Sequence, residues 1–346
     1  NLEKIEGEIS TRISQTGEEG GENTMLQGVL NVPLIEDKLA IRGVIYQFDN
    51  SGYVKNVSAS QPSAGLAVTE SFGGIARDKD DVGNDSYTGF RLSTLWHPID
   101  SLDITLSYLQ QKIEQNGIPE VELALVGNYD QRRLNTSTAG SQYEFLKNDI
   151  EITSLVIEYD SGWAAITNSF SLVNYDSERE EDHSNVMFLF DFIVPGFGLT
   201  DQPYYNDLSN FSDNTTNELR LVSQLDGPFQ FSTGLYYESI TRGNSENYSW
   251  SGDPNLNPNP DLNVSKGNYA SSIKQKAIFS EIAFEITEQL KATVGGRYFD
   301  YSKTDSTLSS ILFNFNLTQP PRDIEETGHN LKANISYQAT DNILVY

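Results

Sequence analysis

Between Lys276 and Tyr301 the chain reads KAIFSEIAFEI, a short turn TEQ, and LKATVGGRYFDY. Ile278, Ile282, Phe284 and Ile286 share one parity, and Glu281 and Glu285 take the other. After the turn, Leu290, Ala292, Val294 and Tyr298 alternate with Lys291, Thr293 and Arg297. Successive strand side chains point to opposite faces, so each half has one apolar face and one charged face. A soluble sandwich covers its apolar face with a second sheet. A membrane barrel turns that face to lipid and keeps the charges inside. One hairpin leaves both open, and its repetition along the chain separates them.

The same period-two pattern predicts strands over Glu3–Thr16, Met25–Val32, Lys38–Phe48, Ser86–Trp96 and Leu102–Gln110. It continues over Glu151–Tyr159, Trp163–Tyr175, Glu218–Leu225, Phe229–Glu238, the two halves of the opening hairpin and Asn330–Gln338. A thirteenth strand begins at Ile343, and no segment of helical period competes. From the third strand on, connections alternate. Short turns lie at His97–Asp100, Asp160–Gly162, Asp226–Pro228 and Thr340–Asn342. Loops are expected at about 50–84, 111–148, 176–213, 239–272 and 302–327, with a shorter one at 17–22 on the same side. Loops of that length are uncommon in compact soluble domains. Long loops at one rim and tight turns at the other are the topology of an outer-membrane barrel, its extracellular end set against its periplasmic end. The expected fold is therefore all-β, an antiparallel up-and-down transmembrane barrel wall. A soluble β-sandwich binding module is the alternative.

Composition narrows the function. The chain has 23 basic and 49 acidic residues, a net charge of -26. That disfavours nucleic acid, which requires a basic footprint. There is no cysteine, so disulfides and thiolate metal sites are excluded. No apolar run approaches the roughly 18–20 residues of a membrane helix, which does not bear on a barrel, since only alternate strand residues face lipid.

Four stretches resemble the β-barrel region of TonB-dependent outer-membrane receptors: Leu39–Tyr53 (LAIRGVIYQFDNSGY), Tyr87–Tyr108 (YTGFRLSTLWHPIDSLDITLSY), Asn217–Tyr237 (NELRLVSQLDGPFQFSTGLYY) and Ala277–Tyr301. The resemblance spans Glu3 to Tyr346, so residues 1–346 are expected to form one partial barrel domain. It implies a barrel of 22 strands in the intact receptor, an N-terminal plug and a preceding segment that binds TonB. Neither plug nor coupling segment is visible, so the chain reads as an internal piece of a longer receptor. Such a piece is an open, curled sheet with free edges at Glu3–Thr16 and Ile343–Tyr346, and those edges need partners in lipid. The resemblance also implies uptake of a scarce ligand, whether a ferric siderophore, haem, cobalamin or an oligosaccharide. Energy comes from the TonB complex, with no covalent chemistry and no cofactor. A passive porin or adhesin-like barrel is the runner-up.

Ligand contact is expected from aromatic loop segments, since exposed aromatic surface marks interaction sites. These are Phe188, Phe190 and Phe192 with Tyr204 and Tyr205, a second cluster of Tyr129, Arg132 and Arg133, and Trp250 beside Tyr248. Arg132 and Arg133 would supply a locally basic site for an anionic ligand. Asp78, Asp80, Asp81 and Asp85 have part of the spacing of a calcium loop, but lack an oxygen ligand at Val82 and a closing Glu. Glu178, Glu180, Glu181 and Asp182 form a second acidic run, and divalent cations at such clusters would bridge to lipopolysaccharide. Asp182 beside His183 is the local hint of a hydrolase. The arginines Arg42, Arg91, Arg220 and Arg297 are expected on the polar face, balanced by carboxylates such as Glu218, Glu281 and Glu285.

Overall fold

The computed structural model describes residues 2–17, 20–62, 75–122, 130–135, 144–183, 204–250, 265–306, 308–312, 315–340 and 342–346. Strands form wherever the alternation runs, and in several places well past it. The first six are β1 (Glu6–Gln15), β2 (Glu22–Ile35), β3 (Leu39–Asn50), β4 (Val54–Val57), β5 (Ile75–Ala76) and β6 (Asp78–Val82). Next come β7 (Asn84–Ile99), β8 (Leu102–Asn116), β9 (Asp130–Gln131), β10 (Leu134–Asn135), β11 (Phe145–Asp160) and β12 (Ala164–Asp182). Then follow β13 (Tyr204–Ser223), β14 (Phe229–Trp250), β15 (Ser265–Glu285) and β16 (Leu290–Asp305). The series ends with β17 (Leu308–Leu312), β18 (Phe315–Gln319), β19 (Arg322–Thr340) and β20 (Ile343–Val345).

The main sheet runs β1-β2-β3-β7-β8-β11-β12-β13-β14-β15-β16-β19-β20, every pairing antiparallel, with β17 and β18 added beside β15. It is open, and β1 and β20 are its edges. The register carries one apolar face across the sheet. Ile9 meets Gly28, which meets Ile45, which meets Phe90. Further along, Leu106 meets Leu155 and Leu155 meets Phe170. Leu219, Leu235, Ile278 and Tyr298 then form one continuous row. These side chains are uncovered: Ile9 is 79%, Ile45 65% and Leu235 53% exposed. Leaving ten such side chains in water would forfeit on the order of 15–30 kcal/mol, more than the net stability of a domain. No second layer of the described residues covers the rows, which removes the sandwich. Hydrocarbon is the medium that suits them.

The opposite face is polar and closely interlocked. Tyr46 reaches over Gly89 to donate to Gln111 Oε1 at 2.6 Å. The Arg220 guanidinium lies 5.7 Å from the centre of the Phe279 ring, with Gly234 on the strand between them. A Cβ at Gly234 would sit 2.3 Å from Phe279 Cζ. Lys332 Nζ crosses Gly295 to Glu281 at 2.7 Å. The expected balance of arginines by carboxylates is met in part. Arg220 pairs with Glu218 at 2.7 Å, Arg297 lies over the Tyr236 ring, and Glu281 takes a lysine instead.

Tight turns close one rim and are tied to each other. His97 N–H donates to Lys38 O, Asp160 to Ser101, Gln224 to Trp163 and Gln338 to Gln289. Gly162 and Gly227 take positive φ in these turns. The register slips at Pro33/Ile35 and Trp96/Ile99, where Pro33 and Pro98 cannot donate to a ladder. β7 thus continues to Ile99, and the turn is Asp100–Ser101 rather than His97–Asp100.

At the other rim the strands outrun the expected loop limits. β12 continues to Asp182 and β13 starts at Tyr204, so residues 176–182 and 204–213, expected as loop, are ladder. The same holds for 239–250 in β14, 265–272 in β15 and 322–327 in β19. Above the apolar band both faces are wet, so hydrophobic alternation stops while the backbone pairing does not. The fully buried side chains Val54, Val57 and Ser58 also lie here, in a cap folded from the connections that follow β3 and β8.

Candidate ligand-binding rim

The cap is a small sheet in which β4 pairs antiparallel with β6 and parallel with β9. Val54, Val57 and Val82 are its buried apolar residues. Asn56 lies at its centre: its amide donates to the Arg77 and Arg133 carbonyls, both at 2.8 Å, and its Oδ1 accepts the Arg133 N–H. Ser58 Oγ donates to the Arg77 carbonyl and accepts the Arg77 N–H. One polar knot therefore joins β4, β6 and β9, which lie far apart in the chain.

Arg133 fastens the cap to the strand tops. Its Nη1 donates to the Asp182 carbonyl at 2.5 Å and lies 3.6 Å from Glu144 Oε1, while Nη2 donates to Glu120. Burial works against the guanidinium charge, but Glu144, Asp182, Glu120 and Glu181 outweigh it and raise its pKa. Glu144 is 4% exposed, and its carboxylate accepts the backbone N–H of Asp182 at 2.9 Å and of Ile118 at 3.3 Å. Burial pushes the Glu144 carboxyl up to about 7, with Asp182 adding to the shift and Arg133 opposing it.

Beside this lock, the polar parity of β12, β13 and β14 continues unbroken. Glu181 is opposite Asn206, and Asn206 opposite Tyr248. His183 Nε2 meets Glu181 Oε2 at 2.9 Å, and Arg179 meets the same oxygen at 3.2 Å. Asn206 Nδ2 donates to Glu246 at 3.3 Å, and the His183 ring stands edge-on to Tyr248 at 5.2 Å. Burial alone would raise Glu181, but the His183 hydrogen bond, with Arg179 and Arg133, holds it below the usual carboxylate range. Tyr248 is raised by burial and by Glu246.

The residues singled out from sequence distribute as follows. Tyr129, Phe188, Phe190 and Phe192 lie outside the described residues, as does the side chain of Trp250. Tyr204 and Tyr205 top β13, where Tyr204 pairs with Trp250 through the backbone and Tyr205 with Asp182. Burial pushes the Tyr204 hydroxyl up to about 12. Arg133, through Asp182, therefore does come to the same corner as Tyr204 and Tyr205. The locally basic site does not form: Arg132 is held by both oxygens of Glu122, and Arg133 sits among carboxylates. The calcium spacing dissolves into separate contacts. Asp78 accepts the Ala59 and Ser60 N–H groups, Asp80 meets Lys55, Asp81 accepts Gly52 N–H and Asp85 accepts Asn50. Among the described residues no three carboxylates or imidazoles converge on a metal. His183 pairs with Glu181 rather than Asp182, which takes the opposite parity, so the hydrolase hint has no geometry behind it. Arg179, Asn206 and Glu246 were not anticipated. Their signal is parity counted upward from Phe170 and Leu235 after the hydrophobic alternation has ended.

A family model described as TonB dependent receptor-like, beta-barrel, matches residues 73–346. No curated protein matches the chain. Among solved structures, the ferric yersiniabactin uptake receptor of Yersinia pestis superposes with a TM-score of 0.72 at 11% identity, covering 98% of this chain and 45% of that one. The siderophore receptor PiuA of Acinetobacter baumannii gives 0.61 at 14%, covering 99% and 48%. The copper transporter OprC gives 0.56 at 10%, covering 99% and 44%. At these identities the likeness is one of fold, and the chain spans about half the length of each. With the family match covering most of its length, the chain belongs to the TonB-dependent receptor β-barrel family.

Proposed function

We propose that this chain forms the wall and capped outer rim of an outer-membrane import receptor, which captures a scarce small ligand outside the cell. Energy to admit the ligand is relayed by the TonB complex through a segment outside this chain. The observation that supports the reading is the asymmetry of the rims. Tight, mutually bonded turns close one end, and the other carries a structured cap fastened to the strand tops. The membrane reading follows from the exposed apolar rows, and the outer membrane from the family. The structural neighbours include a ferric yersiniabactin uptake receptor, a siderophore receptor and a copper transporter, so a chelated metal ion is one ligand class and an oligosaccharide another. Lipopolysaccharide, bridged by divalent cations to the acidic rim, is the proposed lipid partner. The net charge of -26 works against a strongly anionic ligand.

The test is energy-dependent uptake. The intact receptor, expressed in a strain lacking its own copy, should restore growth on a single iron or carbon source. Growth should be lost when TonB is deleted. Uptake that persists without TonB, together with an open conductance in planar bilayers, would make the protein a passive porin.

A further inference from the structure

On the polar face above the apolar band, three buried polar atoms in one neighbourhood have no partner among the described residues: Asn206 Oδ1, His183 Nδ1 and Arg179 Nε. We infer that Arg179, Glu181 and His183, with Asn206, Glu246 and Tyr248, form a subsite for a neutral, hydroxyl-rich ligand of the oligosaccharide class. The inference rests on the import-receptor reading and specifies what part of that receptor's rim recognises.

The chemistry of the open valences selects the ligand. Asn206 is 3% exposed, and its amide nitrogen is committed to Glu246, so its oxygen is an acceptor in need of a donor. His183 points Nε2 at the Glu181 carboxylate, so Nε2 carries a proton, and Nδ1 accepts from a hydroxyl as the neutral ring or donates to one as the imidazolium. Arg179 Nε is a donor. An acceptor, a donor and an imidazole nitrogen call for groups that give and take hydrogen bonds together, which hydroxyls do. A carboxylate or phosphate cannot donate, and it would meet Glu181 and Glu246. A cation would meet Arg179. Tyr248, directly opposite Asn206 in the ladder and braced by the His183 ring, offers the apolar face against which a sugar ring packs. A site built to bond hydroxyls discriminates against analogues that lack them, because its own polar groups are then left unpaired.

The experiment is calorimetric titration of the intact receptor with maltopentaose, chitopentaose and mannopentaose, with citrate as the anionic control. At least one neutral oligomer should bind, citrate should not, and Asn206→Leu should weaken binding tenfold or more. His183 lies one residue beyond β12, so His183→Ala leaves the ladder intact and repeats the test if Asn206→Leu does not fold. Absence of binding by all three oligomers overturns the inference, as does binding unchanged within twofold in a folded variant. A site holding only water falls under those outcomes. TonB-dependent uptake that is indifferent to both substitutions keeps the receptor and removes the subsite. Oligosaccharide binding that senses them without TonB-dependent uptake keeps the subsite and removes the receptor.

Discussion

Raising the pH from 5 to 8 should loosen the cap, and Glu144 sets the size of the effect. Its carboxyl titrates at about 7 in the closed rim against 4.5 when released to solvent. Below pH 4.5 it is protonated in both states and its contribution is fully present. Between 4.5 and about 7 the released form loses its proton first, so closure is disfavoured by roughly 1.4 kcal/mol for each pH unit. Above 7 both forms are ionised and the loss is complete, at about 3 kcal/mol or a few hundredfold in the opening equilibrium. The reporters are the backbone amides of Asp182 and Ile118, which donate to this carboxylate. Hydrogen exchange read by mass spectrometry, corrected for intrinsic rates, should show their protection falling across that window. Protection in the β14–β15 ladder should not change. Glu144→Gln keeps an oxygen for Asp182 N–H but cannot ionise, so its protection should be flat with pH. Protection of Asp182 and Ile118 that is flat in the unsubstituted protein, or still pH-dependent in Glu144→Gln, would refute the argument.

Two further substitutions probe other levels. Asn56→Leu removes three hydrogen bonds that join the cap segments, and should cost the cap about 2–4 kcal/mol. Trypsin would then cut at Arg77, Lys79, Arg132 or Arg133 while the sheet stays resistant; an uncut cap would show that the knot is not what closes it. Gly234→Ala places a Cβ 2.3 Å from Phe279 Cζ and 2.7 Å from the Leu219 carbonyl, and should cost about 1–3 kcal/mol in urea unfolding. An unchanged urea midpoint would mean that the strand spacing described there is wrong.

The sheet was legible in the sequence to the extent that lipid imposes a pattern. Ile278, Ile282 and Phe284 must share a face because hydrocarbon covers only that face, and the register bears this out. Strand height was not legible, because Asp213, Asn214, Thr215 and Thr216 on β13 carry no apolar alternation. Arg132 and Arg133 looked like free positive charge, since their partners Glu122, Glu120, Glu144 and Asp182 come from separate segments. Glu144 could not be singled out for the same reason: its neighbours are assembled by the fold. Arg179, Glu181 and His183 were within reach, because residues two apart on one strand share a face.

The claim on which all this depends is that, between Leu290 and Phe299 of β16, even-numbered residues meet hydrocarbon while odd-numbered ones meet water. The chain has no cysteine, so single cysteines at positions 290–299 of the intact receptor can carry a nitroxide without background from these residues. In bilayers, collision with oxygen should peak at 290, 292, 294, 296 and 298, and collision with a water-soluble nickel chelate at the positions between. Equal profiles along the strand, or the opposite phase, would contradict the barrel-wall reading.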